Sequence, residues 1–366
     1  MDLLTFLPLM AVVVLTAFFW RVQAPVRPAW LAVGLLTVLS CLADWYLLAR
    51  LPRLRLSFGR VNPPVFMINF IRLAVLLVAL ALVGLVGQSW QKLSIVIAVG
   101  LFQVAFLAAA YIGLYVEPFR LTLTEVPVSG APAFFADRPL RILQLSDVHM
   151  EHITKREKDI LAKTEALAPD MIVMTGDFLN KSFRSNRQVQ QEAREWLAQL
   201  SAPYGVFAVN GDVDTTGSMK ALFDGLTNIR VLHDEIVTIS FPGASLHLVG
   251  AFSLFDRHDS NKLEGVLKNL PANVYSLVIY HYPEGVEVAA KYGANLMLAG
   301  DTHGGQIRLP LIGSPLVKMF SHYEMGKYQV GPTMLYVSRG LGMQGGMWPR
   351  MRLNCPPEMV MVEIGH

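Results

Sequence analysis

The sequence predicts an α/β protein, a two-sheet β-sandwich flanked by helices, preceded by a four-helix transmembrane region. Three observations carry that expectation. Of the 366 residues 53% are hydrophobic and only 16% charged, yet most of the charge falls after Glu117, as in a membrane-embedded front and a soluble back. From residue 140 onward, short apolar runs alternate with polar stretches of helical period and then give way to more strands, the order expected of layered sheets with outer helices. Five of those apolar runs end in Asp, Asn or His.

Four apolar stretches, at 3–20, 29–48, 73–87 and 93–116, each approach the roughly 20 residues that a helix needs to cross a bilayer. Trp20, Trp30, Trp45, Tyr46 and Trp90 stand near their ends, where interfacial aromatics belong. The first stretch opens with Asp2 and no Lys or Arg, so it reads as a retained anchor rather than a cleaved signal peptide. The link after the second span carries Arg50, Arg53, Arg55 and Arg60, and the positive-inside bias places it, both termini and the C-terminal domain in the cytoplasm. Asp44 and Arg72 flank that link, which suggests a charge pair near one interface. The net charge of +3 and the absence of a basic run with interleaved aromatics give no ground for expecting nucleic acid. Cys41 and Cys355 have no metal-type spacing and read as structural.

Residues 117–139 are expected as a linker, with Pro, Gly and Ala concentrated after Val126, and residues 140–366 as one domain. Its strands are predicted at 140–145, 171–175, 206–209, 231–232, 236–240, 246–251, 275–280, 296–299, 334–338 and 359–364. Helices are predicted at 154–168, 187–200, 219–226, 263–270 and 284–292; the first has Thr154 with Glu157 three residues on, a capping-box spacing.

The polar strand ends are the informative part. Asp147 and His149 close LQLSDVHM; Asp177 and Asn180 close IVMTGDFLN; Asp212 and Asp214 close FAVNGDVD. His281 closes LVIYHYP, and Asp301 with His303 closes LMLAGDTHGG. A lone Asp after a strand is usually a turn or cap, but five such ends can meet in one crevice, because ligands in α/β folds gather at the carboxyl ends of strands. Mixed carboxylate and imidazole donors suit Mn, Fe or Zn better than an all-oxygen Mg or Ca cage.

That order of motifs, with LYVSRGLG at 335–342 and CPPE at 355–358, resembles the calcineurin-like metallophosphoesterases, in particular a membrane-associated bacterial branch. The resemblance implies a pair of sheets flanked by helices around two divalent metal ions (Mn, Fe, Zn or Mg). Asp147, His149 and His303 would hold the first metal and Asp177 would bridge both. Asp212, His281 and Asp301 would complete the second, with Asp177 and Asp214 as the catalytic carboxylates. The implied reaction is in-line attack on phosphorus by a hydroxide bridging the two cations, with no covalent enzyme intermediate.

Two departures from the family pattern bear on activity. Gly-Asn-His-Asp reads Gly211-Asp212-Val213-Asp214 here, and Gly-His-x-His reads Gly300-Asp301-Thr302-His303. The two aspartates retain metal-capable atoms and favour harder ions. Val213 replaces a histidine that assists the leaving group, a loss worth roughly 10²- to 10⁴-fold. His152 and His322 are the candidates to replace it from a loop, against the plainer reading of each as a surface histidine. The expectation is therefore an integral, multi-pass enzyme of a bacterial inner or plasma membrane. Its partners would be the bilayer and a phosphorylated, lipid-linked ester or anhydride, with the apolar segments 310–320 and 343–348 beside the site to admit an acyl chain. The alternative is a degenerate sensor or scaffold that binds metal or a phospho-ligand without turnover. A transporter is disfavoured, since the spans lack charged or broken helices at mid-depth.

Overall fold

The computed structural model describes all residues except 1–6, 20–26, 57–60, 130–137, 243, 254–259, 272–273, 315–316, 346–349 and 366. Residues 1–116 with 345–351 form one compact unit, and 117–344 with 352–366 form another.

The first unit is helical: α1 (Leu7–Phe19), α2 (Arg27–Arg50), α3 (Asn62–Leu85) and α4 (Ser89–Tyr111). Among the described residues three helices, not four, are long and apolar enough to cross a membrane, the last continuing through a π turn and a 3₁₀ turn to Phe119. Over its described residues α1 has 13, fewer than a straight crossing takes. Val12, Trp30, Val33, Leu76 and Val96 form the apolar centre of the unit. The expected charge pair exists: Arg72 Nε donates to Asp44 Oδ2 at 2.6 Å, and Nη1 donates to Gln103 Oε1 at 2.6 Å. Arg72 lies ten residues into α3, about 15 Å along its axis, and all three side chains are buried.

The second unit contains two six-stranded sheets, ordered β1-β12-β2-β3-β4-β5 and β10-β11-β9-β8-β7-β6. The strands of the first are β1 (Thr122–Val128), β2 (Leu140–Leu145), β3 (Met171–Met174), β4 (Val206–Ala208), β5 (Ile229–Val231) and β12 (Glu358–Ile364). Those of the second are β6 (Glu235–Phe241), β7 (Ala244–Gly250), β8 (Ser276–Ile279), β9 (Leu296–Ala299), β10 (Gly326–Val330) and β11 (Thr333–Val337). Period-two alternation sorts the side chains. Ile142, Val173, Leu277, Ile279, Leu296 and Leu298 share one core between the sheets. The residues between them face outward, where α5 (Lys155–Leu167), α6 (Arg187–Leu197) and α7 (Thr216–Phe223) cover the first sheet. Helices α8 (Asn261–Leu267) and α9 (Val286–Lys291) cover the second. The expected Thr154–Glu157 capping box starts α5.

One boundary is corrected. Part of the stretch expected as linker is β1, paired in parallel with β12 from Thr122↔Glu358 to Val128↔Ile364. Within that stretch, residues 130–137 lie outside the described residues. Strands β2, β3 and β4 run parallel, as do β7, β8 and β9, so the polar strand ends all follow carboxyl termini.

Candidate metal centre

At the end of β2 the chain turns sharply. Asp147 N donates to Gly176 O at 3.0 Å and His149 N to Asp177 O at 2.9 Å, locking the loops after β2 and β3 together. Gln144 Nε2 donates to Ala299 O at 2.9 Å, tying the end of β9 to the same place. Asp147, His149, Asp177, Asp301 and His303 all have positive φ, between 42° and 70°. This region costs non-glycine residues about 1–3 kcal/mol each and collects at functional sites. The loops are too close for side chains at two glycines: a Cβ on Gly211 would lie 2.1 Å from Asp177 Oδ1, and one on Gly300 2.3 Å from Asp147 Oδ2.

Two donor groups result. Asp147, His149, Asp177 and His303 offer atoms within 4.8 Å of one another, and Asp177, Asp212 and His281 do the same. Asp177 is common to both. In the first group, His149 Nε2 lies 3.0 Å from His303 Nε2 and 3.2 Å from Asp177 Oδ2. His303 Nε2 lies 3.4 Å from Asp147 Oδ1. Two imidazole nitrogens this close cannot both carry protons. Burial lowers His149 to about 4 and pushes His303 well below its usual value, so both rings are neutral at pH 7.

The second group is decided by His281. Its Nδ1 is 2.8 Å from the Thr175 carbonyl and so carries the proton. That leaves the Nε2 lone pair facing Asp177 Oδ2 at 3.7 Å, Asp212 Oδ1 at 3.7 Å and Asp301 Oδ1 at 3.8 Å. A buried nitrogen with no hydrogen-bond partner, aimed among carboxylates, fits a cation between them, with the carbonyl orienting the ring from behind. Without one, burial would depress the His281 pKa, but Asp177 and its neighbours hold it well above the usual value. Burial and the Asp212 and Asp147 charges push Asp177 well up. Asp212, at the rim and 36% exposed, is pulled down by His281 despite its burial. The donor set is thus built for divalent metal.

The remaining expected residues fall as follows. Asp301 stands at the edge of the second group, and its N–H donates to the Asp147 carboxylate at 3.2 and 3.3 Å. Asp214, expected as catalytic, accepts instead from the backbone N–H groups of Asp177 at 2.7 Å, Phe178 at 3.2 Å and Gly211 at 2.8 Å. Both of its oxygens are thus occupied by backbone N–H groups of the loops that carry Asp177 and Asp212. Asn180 bonds Met343 O at 3.1 Å and joins neither group. Val213 is buried, its N–H donating to Asp177 Oδ1 at 3.0 Å. His152 faces Glu192 at 3.2 Å and His322 is exposed; neither belongs to a donor group.

The sequence reading missed Arg352. Fully buried, it donates from Nε and Nη2 to Gly342 O, from Nη2 to Arg339 O and Gly340 O, and from Nη1 to Cys355 O, between 2.6 and 3.1 Å. It fixes the loop whose Gly340 backs onto Asp147. Only its place between the LYVSRGLG and CPPE motifs hinted at such a role. Cys355 Sγ reaches the His303 carbonyl at 3.3 Å, consistent with a structural cysteine.

The calcineurin-like phosphoesterase family model matches residues 140–305. An uncharacterized metallophosphoesterase of Bacillus subtilis, YkuE, is 31% identical over 63% of this chain and 81% of its own length. The phosphodiesterase YaeI of Escherichia coli is also 31% identical, over 63% of this chain and 85% of its own. This chain is a calcineurin-like phosphoesterase. A UDP-2,3-diacylglucosamine pyrophosphatase of Chlamydia muridarum, LpxG, is 25% identical over 68% of the phosphoesterase and 90% of its own length. The phosphoesterase is accordingly a metal-dependent hydrolase of phosphate esters with a dinuclear divalent metal centre.

Proposed function

We propose that the phosphoesterase is anchored in a membrane by its helical unit and hydrolyses a lipid-linked phosphate ester or anhydride. Asp147, His149, Asp177 and His303 would hold one metal, and Asp177, Asp212 and His281, with Asp301 at the edge, the other. The observation that carries this assignment is the unpartnered His281 Nε2 among three carboxylates. When bound, the two cations supply a water of lowered pKa and neutralise charge developing on phosphorus. The chain's own contribution is placement. Asp214 and Arg352 hold the ligand loops rigid, and the Thr175 carbonyl keeps the His281 proton on Nδ1. Val213 offers no proton to a leaving group, which favours substrates whose leaving group needs none, such as a phosphoanhydride. The pyrophosphatase relative supports that class, and three helices of membrane-crossing length support a lipid-linked substrate. The arginines at 50, 53 and 55 support a cytoplasmic domain; a reporter after His366 that is active only on the far side would refute it.

The test uses the full chain in detergent with Mn²⁺, Fe²⁺, Zn²⁺ or Mg²⁺, against aryl phosphodiesters and lipid diphosphates. Elemental analysis should find two metals per chain, and turnover should vanish in Asp177→Asn and His303→Ala. Turnover no higher than in those variants would leave a metal-binding sensor. Val213→His should raise rates on poor leaving groups by about 10²-fold or more and leave anhydride rates little changed.

A further inference from the structure

The described residues of the second unit bury nearly all of their large apolar side chains. The exceptions cluster: apart from Leu123 at 36%, the exposed ones are Leu309, Leu311, Ile312, Met319 and Phe320. Leu311 and Met319 are 108% and 82% exposed. Leu309 bridges to Gly313, which makes residues 309–313 a hairpin-like tip. Leu311 occupies it at φ 66°, a conformation that glycine or asparagine adopts with less strain.

The base of this segment is polar and fastened to the metal centre. Thr302 Oγ1 donates to Glu324 O at 2.6 Å, and Arg308 Nη1 donates to Gly304 O at 2.9 Å and Glu324 Oε2 at 2.8 Å. Lys318 Nζ donates to Ile312 O at 3.0 Å. Thr302 and Gly304 flank the ligand His303. A charged, hydrogen-bonded base therefore carries an exposed apolar tip next to the loop that supplies a metal ligand. Along the chain, the last apolar helix ends at Phe119 and β1 begins at Thr122, so the link from that helix to this domain is short.

We propose that Leu309–Leu311–Ile312 and Met319–Phe320 insert into the lipid surface of the membrane that anchors the chain, so that a lipid-linked phosphoester reaches the metal centre without leaving the bilayer. Apolar side chains on a cationic base suit that interface. The inference rests on the membrane-anchored reading above, and it commits to lipid rather than to a protein partner.

The experiment uses the full chain in phospholipid vesicles. Cys41 and Cys355 are buried, so a nitroxide can be placed selectively at Leu311→Cys or Met319→Cys, with Lys327→Cys on β10 as the exposed reference. Insertion predicts high collision with oxygen and low collision with a water-soluble nickel chelate at 311 and 319, reversed at 327. A label at 311 as nickel-accessible as that at 327 overturns the proposal. So does a label shielded from both reagents, which would mean protein covers the tip. In the second arm, Leu311→Asp with Ile312→Asp should cut turnover of a vesicle-embedded lipid diphosphate roughly tenfold or more, with turnover of a soluble aryl phosphodiester retained. Equal loss on both substrates would overturn the proposal in favour of a structural role. If the parent protein turns over neither substrate, the hydrolase reading fails while the label depths still decide insertion.

Discussion

At His149, burial lowers the imidazole pKa from 6.5 to about 4. Between those values the unfolded chain binds a proton that the native state refuses, so this residue's contribution of about 3 kcal/mol is complete above pH 6.5 and lost as pH falls toward 4. Asp214 has the opposite sign. Burial and the Asp177 charge raise its carboxyl from 3.8 to about 7, so the native state holds a proton the unfolded state has released. Stability then falls by about 4 kcal/mol as pH rises across that window. The two terms oppose each other in the metal-free protein, and single substitutions should separate them. Melting of metal-free His149→Asn between pH 4.5 and 7 should show stability falling with pH more steeply than in the parent, and Asp214→Asn should show it rising. Parallel curves for both would remove the assignment. At this scale the ligand types were legible in the sequence, because a polar residue closing a buried strand has few other uses. The role of Asp214 was not: only the folded chain reveals that its oxygens are taken by three amides. Arg352 was equally hidden, since its partners are backbone carbonyls that leave no mark in side-chain identity.

Elements are held to the site by a second buried carboxylate. Glu358, at the start of β12, accepts from Tyr336 Oη at 2.9 Å, Arg339 N at 3.0 Å, Arg339 Nη2 at 3.0 Å and Thr124 Oγ1. It therefore joins β1, β11, β12 and the loop behind Asp147. Removing one partner of a buried pair costs about 3–5 kcal/mol because the other charge is left uncompensated. Glu358→Ala should lower the unfolding free energy of the domain by that amount and loosen the 339–342 loop. Glu358→Gln, which keeps an acceptor, should lose less. Denaturant unfolding with metal content measured in parallel checks both; an unchanged midpoint in Glu358→Ala would refute the role. The central strands were readable because burial on both faces leaves unbroken apolar runs such as MIVM and LMLA. Strand β1 was not, because TLTEVPV carries only two buried residues at its end and its partner lies more than two hundred residues away. Pairing that distant leaves no local signal.

At the scale of the whole molecule, the two units are each compact, and the polar cluster in the helices gives a way to ask whether they are also energetically separate. Arg72, Asp44 and Gln103 link α3, α2 and α4 where the apolar periodicity of those helices specifies little, and a single buried polar contact of this kind can set register. Asp44→Ala strands a buried guanidinium and should destabilise the helical unit by about 3–5 kcal/mol. Replacing both charges, Asp44→Leu with Arg72→Leu, removes the cost along with the interaction and should recover most of the loss. If the phosphoesterase domain is an independent cooperative unit, its metal content and its turnover of a soluble aryl phosphodiester should be the same in all three proteins. Thermal unfolding of the full chain in detergent, followed separately by helical circular dichroism and by metal release, distinguishes the cases. A shift confined to the helical transition supports separate units. Loss of metal in step with the helices would show that the helical unit is energetically part of the catalytic fold.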